Sequence, residues 1–301
     1  MDIVKYNMLM TNELLNVLKV FEEKNIDCIP FKGPVLTKLA YGDITLRQYV
    51  DLDILINIKD FELVINILDK LDYNSKLNYE VSLEKIQDII CDHLFIKKKS
   101  NINIEIHNKL FSINFPINIP SRIFFDNQQN ININNINIKT FSNEYLLFYL
   151  CLHGCKHLFS RLSWLLDIHK IISSLNIDWE KFIKIVEEYN TKSLVYTSLF
   201  LSEELFQTKL PELIKIKYQK KYQKLIKYIL NNNEDFEVTD KFSFVHLLLF
   251  DSFKEKFLYS LYIFRPSFLD YQSLNKEYKS ELVYYLIRPI NILLRSFKNL
   301  K

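Results

Sequence analysis

The sequence predicts an α+β protein, in which an N-terminal α/β domain with a mixed sheet and flanking helices precedes an all-α C-terminal domain. Two observations predict this class. Short apolar segments that alternate with a period of two lie between helical patterns up to about residue 115, and from Ser142 onward the apolar residues recur at helical spacing. We therefore expect domains at 1–115 and 142–301, joined by a connecting segment at 116–141 that could hold a β-hairpin.

Composition and charge exclude several classes of protein. The chain has 301 residues, of which 49% are hydrophobic and 25% charged, as in folded globular proteins. Its net charge of +3 is too small for a nucleic-acid coat protein. The four cysteines form no CxxC pair, the N-terminus lacks a signal layout, and the apolar runs are too short for a bilayer. We expect a cytoplasmic protein without membrane contact; its oligomeric state is not readable.

The N-terminal elements follow one another in short segments. An amphipathic helix at 6–24 precedes a strand at 27–31, a helix at 34–41, a loop at 42–49 and a strand at 50–56. Pro34 just inside the start of the second helix and Gly42 just past its end match the preferences of helix termini. Asp60 then precedes a helix whose apolar residues repeat at helical spacing.

The strand at 50–56 carries two aspartates on one face. Its alternation directs Leu52 and Ile54 to one side and Asp51 and Asp53 to the other. Two carboxylates on a face of a buried strand repel each other and are costly to bury unless a cation lies between them. Mg²⁺, which prefers carboxylate and phosphate oxygens, is the expected cation.

A third carboxylate lies on a later strand. Residues 88–98 and 101–107 predict an antiparallel pair, and the second strand directs Asn103, Glu105 and His107 to one side. If this strand lies beside the one at 50–56, Glu105 points into the same space as the two aspartates.

The Asn-Ile alternation of residues 130–138 indicates a hairpin or irregular strands, and we read its composition as a low-GC genome bias. Beyond it, we expect helices at 143–159, 161–174, 179–190, 192–207, 211–231, 241–259 and 277–297.

Lys32 and Gly33 lie where a strand turns into a helix. Free N–H groups at a helix N-terminus bind phosphate, and glycine lets a phosphate approach the backbone. Arg47, between this turn and the aspartates, could contact a triphosphate or form a loop salt bridge. We expect Tyr41 to be a packing residue and Asp43 a turn residue.

The combination of these elements resembles a known family. Residues 31–36 (Phe-Lys-Gly-Pro-Val-Leu), 41–43 (Tyr-Gly-Asp), 46–47 (Leu-Arg) and 51–56 (Asp-Leu-Asp-Ile-Leu-Ile) resemble the uncharacterised nucleotidyltransferase-like family of the DNA polymerase β-type nucleotidyltransferase superfamily. So do residues 104–107, with an acidic residue and a histidine, and the helical segments 151–157 and 161–168. The resemblance spans about half of the chain.

The resemblance implies a nucleotidyltransferase fold and a Mg²⁺-dependent transfer of a nucleoside monophosphate. Asp51, Asp53 and Glu105 would be the catalytic and metal-binding carboxylates, with Glu105 completing a second metal site or accepting a proton from the attacking hydroxyl. Lys32 and Gly33 would hold the phosphates of an NTP, with ATP expected. The wider superfamily begins this site with Gly-Ser or Gly-Gly, whereas Pro34 here supplies neither a hydroxyl nor an N–H.

Several residues of the helical half could reach the same substrate. His153 and His157 share a helix face; they could bind zinc if a third ligand existed, pack or hydrogen-bond against Asp167, or contact the nucleotide. We include His157 and Arg161 in the predicted nucleotide site, with Lys156 as a further phosphate partner. Trp164 and Trp179 are expected in the core of the helical domain.

The acceptor is open: a small molecule, a protein side chain or a tRNA-sized nucleic acid. Two alternative functions are a non-catalytic nucleotide-binding module and a toxin-type enzyme that modifies tRNA or a protein. The three retained carboxylates argue against the first, because a degenerate site could lose carboxylates that repel one another.

Overall fold

The computed structural model describes residues 2–75, 91–112, 114–231, 244–261, 264–265 and 283–290. Its N-terminal part is a mixed α/β layer, which confirms the predicted fold class. The helices there are α1 (Ile3–Glu23), α2 (Gly33–Tyr41) and α3 (Phe61–Lys70). The strands are β1 (Cys28–Pro30), β2 (Asp51–Ile56), β3 (Tyr73–Ser75), β4 (Asp92–Lys97) and β5 (Asn103–His107). The start of the predicted strand at 88–98 lies outside the described residues.

The five strands form one sheet in the order β1-β2-β5-β4-β3. The central strands β2 and β5 run parallel, and every other pair is antiparallel. In the β2–β5 register Asp53 lies opposite Glu105 and Leu55 opposite His107. The sequence left the pairing of these two strands as a condition; the structure shows it, and it brings carboxylates that are 52 positions apart in sequence side by side.

The two faces of the sheet have different surroundings. Leu52 and Ile54 of β2 and Ile104 of β5 are fully or almost fully buried in a core that α1 and α3 complete. The alternate residues, including Asp51, Asp53 and Glu105, point to the opposite face, as expected for a strand period of two. The polar face of the sheet thus turns toward the helical part of the chain.

A histidine is buried in the apolar core of the sheet. His93 on β4 is 0% exposed, packs on Phe61 with ring centroids 4.3 Å apart, and has no hydrogen-bond partner for either ring nitrogen within the described part of the chain. Burial lowers the pKa of His93 to about 4. The folded state therefore favours the neutral imidazole.

We expect His93→Leu to weaken the acid sensitivity of the fold. The unfolded histidine has a pKa near 6.5 and the folded one near 4, so the unfolded chain binds more protons between these values. The contribution of the neutral His93 to the free energy of unfolding is therefore complete above about pH 6.5 and is lost as the pH falls toward 4. Between pH 7 and pH 4.5, the free energy of unfolding should fall by on the order of 2 kcal/mol less in His93→Leu than in the native protein. Urea unfolding of both proteins at the two pH values measures this difference. Equal losses would contradict the buried neutral state.

Residues 128–141 form a hairpin of β6 (Gln128–Ile133) and β7 (Ile136–Phe141), preceded by the short helix α4 (Arg122–Asp126). Asn134 and Asn135 have φ angles of 51° and 64°, which is the conformation that two-residue hairpin loops require and that asparagine tolerates. Thr140 Oγ1 donates to the carbonyl oxygen of Pro30 at 2.9 Å. The Asn-Ile alternation thus has a structural role beside β1.

The helical part is built around α5, which is buried over most of its length. The helices are α5 (Asn143–Lys156), α6 (Leu162–Ser174), α7 (Trp179–Glu188), α8 (Lys192–Phe206), α9 (Glu212–Lys215), α10 (Lys220–Asn231), α11 (Phe244–Leu249) and α12 (Phe253–Ser260). Residues 283–290 are also helical, while the rest of the helix predicted at 277–297 lies outside the described residues.

Two predicted long helices are each divided in the structure. The pattern at 211–231 breaks between α9 and α10, where Tyr218 packs edge-on against Phe200. The pattern at 241–259 breaks because Ser252 begins a new helix with a capping box to Glu255. Among the described residues, no helix has both the length and the apolar character needed to cross a bilayer.

Candidate active site

A cavity of about 570 Å³ lies between the polar face of the sheet and helices α5 and α6. Asp51 and Glu105 line it from the sheet, together with the Lys32-Gly33 turn. The loop before β2 contributes Arg47, and the helical side contributes residues on α5, α6 and the turn between them. Every predicted site residue except Asp53, which is buried next to Lys32, lines this cavity.

Asp53 is the most enclosed of the three carboxylates. Its side chain is 0% exposed, and Oδ1 accepts hydrogen bonds from Lys32 Nζ at 3.0 Å and His107 Nε2 at 3.1 Å. Burial alone would raise the pKa of Asp53, but the charges and hydrogen bonds of Lys32 and His107 together outweigh it and hold the pKa well below its usual range. Oδ2 is buried and has no hydrogen-bond partner among the described residues.

The surroundings of Glu105 and Asp51 disfavour the ionised form of each carboxyl group. Burial and then the Asp53 charge raise the pKa of Glu105 to about 7, and the same two causes raise the pKa of Asp51. Three carboxylates that oppose one another's ionisation need a positive charge nearby.

The ligand atoms available there fit a divalent cation. Asp53, Glu105 and His107 each offer one atom, and these atoms lie within 4.8 Å of one another. The Oδ2 atom of Asp53 is buried and accepts no hydrogen bond from the described residues, and a hard cation could bind to it. His107, which the strand period directs to the same side as Glu105, lies against Asp53 Oδ1, with Glu105 Oε2 3.7 Å away.

Lys32 is held in a closed environment. Besides Asp53, its ammonium group donates to His153 Nε2 at 3.3 Å and lies over the rings of Tyr149 and Phe31 at 5.5 and 5.7 Å. Burial would lower the pKa of Lys32, but the charge of Asp53, with smaller contributions from Tyr149 and Asp51, outweighs it, and the pKa is raised well above normal. In this structure Lys32 is therefore the counterion of Asp53.

Gly33 begins α2 at a position that suits glycine. Its φ angle is 53°, and a Cβ atom there would lie 3.2 Å from the carbonyl oxygen of Asp51. Pro34 follows in the first turn. The predicted strand-to-helix turn is present, and it lies against the start of β2.

Arg47 forms a buried ion pair with a helix of the other half of the chain. Its Nε and Nη2 donate to the two carboxylate oxygens of Asp167 on α6 at 2.7 and 2.8 Å. Tyr41 OH donates to the same carboxylate at 2.8 Å, and the Asp167 side chain is 0% exposed. Of the two alternatives for Arg47, the structure shows a salt bridge, which is buried, while Arg47 also lines the cavity.

The partners of Asp167 bear on one of the alternatives for His153 and His157. The side-chain donors to its carboxylate are Arg47 and Tyr41, not these histidines. The sequence did contain a signal: Asp167 lies beside Ile168 and four positions before Ile171, on the apolar face of α6. A carboxylate on that face needs a buried cationic partner.

Trp164 is not in the core, contrary to our expectation. It is half-buried and lines the cavity, next to His157 and the exposed Arg161. The guanidinium of Arg161 lies 5.5 Å from the indole centroid. Trp179 does pack against the helical core, through Phe182. Asp43 is the expected turn residue, and its Oδ1 accepts from the backbone N–H of Thr45.

Three solved structures are similar to parts of this chain. The crystal structure of the lincosamide antibiotic adenylyltransferase LnuA with lincomycin bound is 17% identical, with a TM-score of 0.38, covering 55% of this chain and 97% of that one. The solution structure of the antibiotic-resistance factor ANT(2'')-Ia is 10% identical, with a TM-score of 0.43, covering 69% and 98%. An antigenic nucleotidyltransferase-like protein from Paracoccidioides brasiliensis is 16% identical, with a TM-score of 0.36, covering 62% and 91%.

The family match covers more of the chain than the motifs described above. No curated protein matches the sequence. The model of one family, described as "Uncharacterised nucleotidyltransferase", matches residues 2–207, which include the sheet, the cavity and helices α5 to α8. The chain belongs to this family of nucleotidyltransferases.

Proposed function

We propose that this protein is a Mg²⁺-dependent nucleotidyltransferase that moves a nucleoside monophosphate from an NTP, with ATP expected, to an acceptor hydroxyl or phosphate. The observation that carries the proposal is the carboxylate group on the central parallel strands: Asp53 opposite Glu105, with Asp51 beside them at a cavity of about 570 Å³. Cavities of this size hold small ligands and cofactors.

Three carboxylates would hold the metal. Asp53 would use its unpartnered Oδ2, while Lys32 and His107 keep Oδ1 in place. Asp51 and Glu105 line the cavity and would supply the remaining protein oxygens. When bound, Mg²⁺ supplies charge neutralisation on the phosphates as a hydroxyl displaces pyrophosphate.

The residues around the carboxylates would position the nucleotide. The first turn of α2, at Gly33, presents the positive end of a helix to the cavity, which favours phosphate groups. Lys32, directly before Gly33, adds positive charge beside the proposed phosphate site while it remains paired with Asp53. Arg47 and Arg161 add positive charge at the cavity wall, opposite in sign to a triphosphate.

The acceptor chemistry is that of a nucleophilic oxygen on a small molecule, a protein or a tRNA-sized nucleic acid. We place the reaction in the cytoplasm, where NTPs are available. The alternative role for Glu105, instead of binding the metal, is to accept the proton of the attacking hydroxyl from its place at the cavity wall.

The proposal is tested by incubating the protein with α-³²P-labelled NTPs and Mg²⁺, with acceptors from a small-molecule and protein panel and total tRNA. We expect transfer of the label to one acceptor class, release of pyrophosphate, and loss of both in EDTA. Tight NTP binding without turnover on any acceptor would contradict the enzymatic function and favour a nucleotide-binding module.

A further inference from the structure

The helical side of the cavity is an aromatic wall. The half-buried indole of Trp164 meets the ring of His153 at 4.9 Å and that of His157 at 5.2 Å between centroids. The two histidine rings are themselves 5.0 Å apart. Three aromatic rings from α5, the turn after it and α6 therefore lie in contact as one cluster, with the guanidinium of Arg161 over the indole.

The wall carries no charge of its own near neutral pH. Burial, followed by the charge of Lys32, lowers the pKa of His153 well below normal. Burial, followed by the charge of Lys156, lowers the pKa of His157 to about 3. A neutral imidazole has one donor and one acceptor nitrogen, so the ring of His157 can offer both to a ligand in the cavity that it lines. The wall therefore suits an uncharged aromatic ring with polar edges.

A strained turn holds this wall in place. Leu158 and Phe159, which follow α5, have φ angles of 48° and 53°, in the left-handed region that costs about 1–3 kcal/mol for each such residue. The ring of Phe159 fills the space beside Gly154, where a Cβ atom would lie 2.2 Å from Cε1. The turn brings Arg161 and Trp164 back alongside the histidines. Such strain concentrates at ligand sites.

The tyrosines that line the cavity are engaged in other contacts. The hydroxyl groups of Tyr41 and Tyr49 donate to Asp167 and to the carbonyl oxygen of Asn7. Tyr149 is 1% exposed and covers Lys32. Trp164 instead presents an indole, which has the largest stacking face of any side chain, to the cavity.

The wall is also close to the carboxylates. Lys32 Nζ contacts both Asp53 Oδ1 at 3.0 Å and His153 Nε2 at 3.3 Å, and the ring of His153 contacts Trp164. Only two side chains along this path separate the carboxylate from the indole. A molecule with phosphates at one end and an aromatic ring at the other can contact both surfaces at once.

We propose that Trp164 is the stacking platform for the nucleobase of the bound NTP, with Arg161 on its outer side and the ring nitrogens of His157 at the edge of the base. This inference rests on the proposed function, since it assigns one part of the same substrate. Stacking recognises any base through its π-face, and purines, which have the larger ring system, bind more tightly.

The test compares the binding of ATP and of inorganic tripolyphosphate, both with Mg²⁺, by titration calorimetry. The variants are Trp164→Leu, Trp164→Phe and, as a matched control, Trp179→Leu, whose indole packs on Phe182 away from the cavity. Loss of a base–aromatic stack weakens binding by about 10-fold. We expect that loss for ATP with Trp164→Leu, a smaller one with Trp164→Phe, none with Trp179→Leu, and unchanged tripolyphosphate binding in all variants.

The outcomes separate this inference from the proposed function. If the native protein binds neither ATP nor any other NTP, the proposed function fails and the inference fails with it. If the native protein binds ATP and Trp164→Leu binds it equally well, only the stacking role is overturned. An equal loss for ATP and tripolyphosphate also overturns it, because Trp164 would then shape the cavity without contacting a base.

Discussion

Asp53→Asn is expected to lower the rate of nucleotidyl transfer by about 100-fold or more, because it removes a charged oxygen from the site proposed for the metal. A metal ion supplies several kcal/mol of charge stabilisation in such a transfer, and each 1.36 kcal/mol corresponds to a factor of ten. Asp53→Asn also leaves the buried Lys32 without its carboxylate partner. We therefore expect a lower free energy of unfolding as well, measured by urea denaturation.

Asp51→Asn separates the catalytic effect from the structural one. Asp51 is only partly buried, and its pKa is raised by burial and by repulsion from Asp53. Neutralising it relieves that repulsion, so the metal-free protein should be at least as stable as the native one. The rate should still fall by about 100-fold. Equal rates in the native protein and both folded variants would contradict the assignment of these carboxylates.

Asp167→Ala is expected to destabilise the protein by about 3 kcal/mol, because the buried Arg47 loses both of its carboxylate contacts. Tyr41 loses its hydrogen-bond acceptor at the same time. The ion pair joins the loop before β2 to α6. Without it, we expect the loop to be held less firmly against the helical wall of the cavity. Urea denaturation measures the first effect, and the affinity for ATP measures the second.

Two controls distinguish this pair from an ordinary salt bridge. In Arg47→Met/Asp167→Leu no buried charge remains unpaired, and the loss of stability should be smaller than in Asp167→Ala. The exposed pair of Lys192 and Glu187, with both side chains 45% accessible, should contribute at most about 1 kcal/mol when Lys192 is changed to alanine. If Asp167→Ala costs no more than Lys192→Ala, the ion pair has no structural importance.

The sheet and its carboxylates could be predicted because their pattern is local. Alternation within residues 50–56 and 101–107 separates Asp51, Asp53 and Glu105 from the apolar residues without any knowledge of the fold. The pairing of the two strands could only be stated as a condition, because the strands are far apart in sequence and their alternation does not show which strands are neighbours. Divided helices were harder to predict, because a helical period continues across a break such as that before Ser252.

Contacts over long sequence distances could not be predicted in the same way. Arg47 and Asp167 are 120 positions apart in sequence, and only the fold shows that they form an ion pair. Trp164 was misplaced because a tryptophan in an apolar helix favours the core. Its neighbour Leu165 is buried, and adjacent residues of a helix lie about 100° apart, which places Trp164 at the edge of the buried face.

The binding of Mn²⁺ in the presence of a non-hydrolysable ATP analogue tests the central claim most directly. Electron paramagnetic resonance reports free Mn²⁺, so it measures the affinity without any acceptor. We predict that the native protein binds Mn²⁺ with the analogue, and that Asp51→Asn and Asp53→Asn each weaken this binding by 10-fold or more. Equal Mn²⁺ affinity in the native protein and both variants would contradict a metal site at these carboxylates.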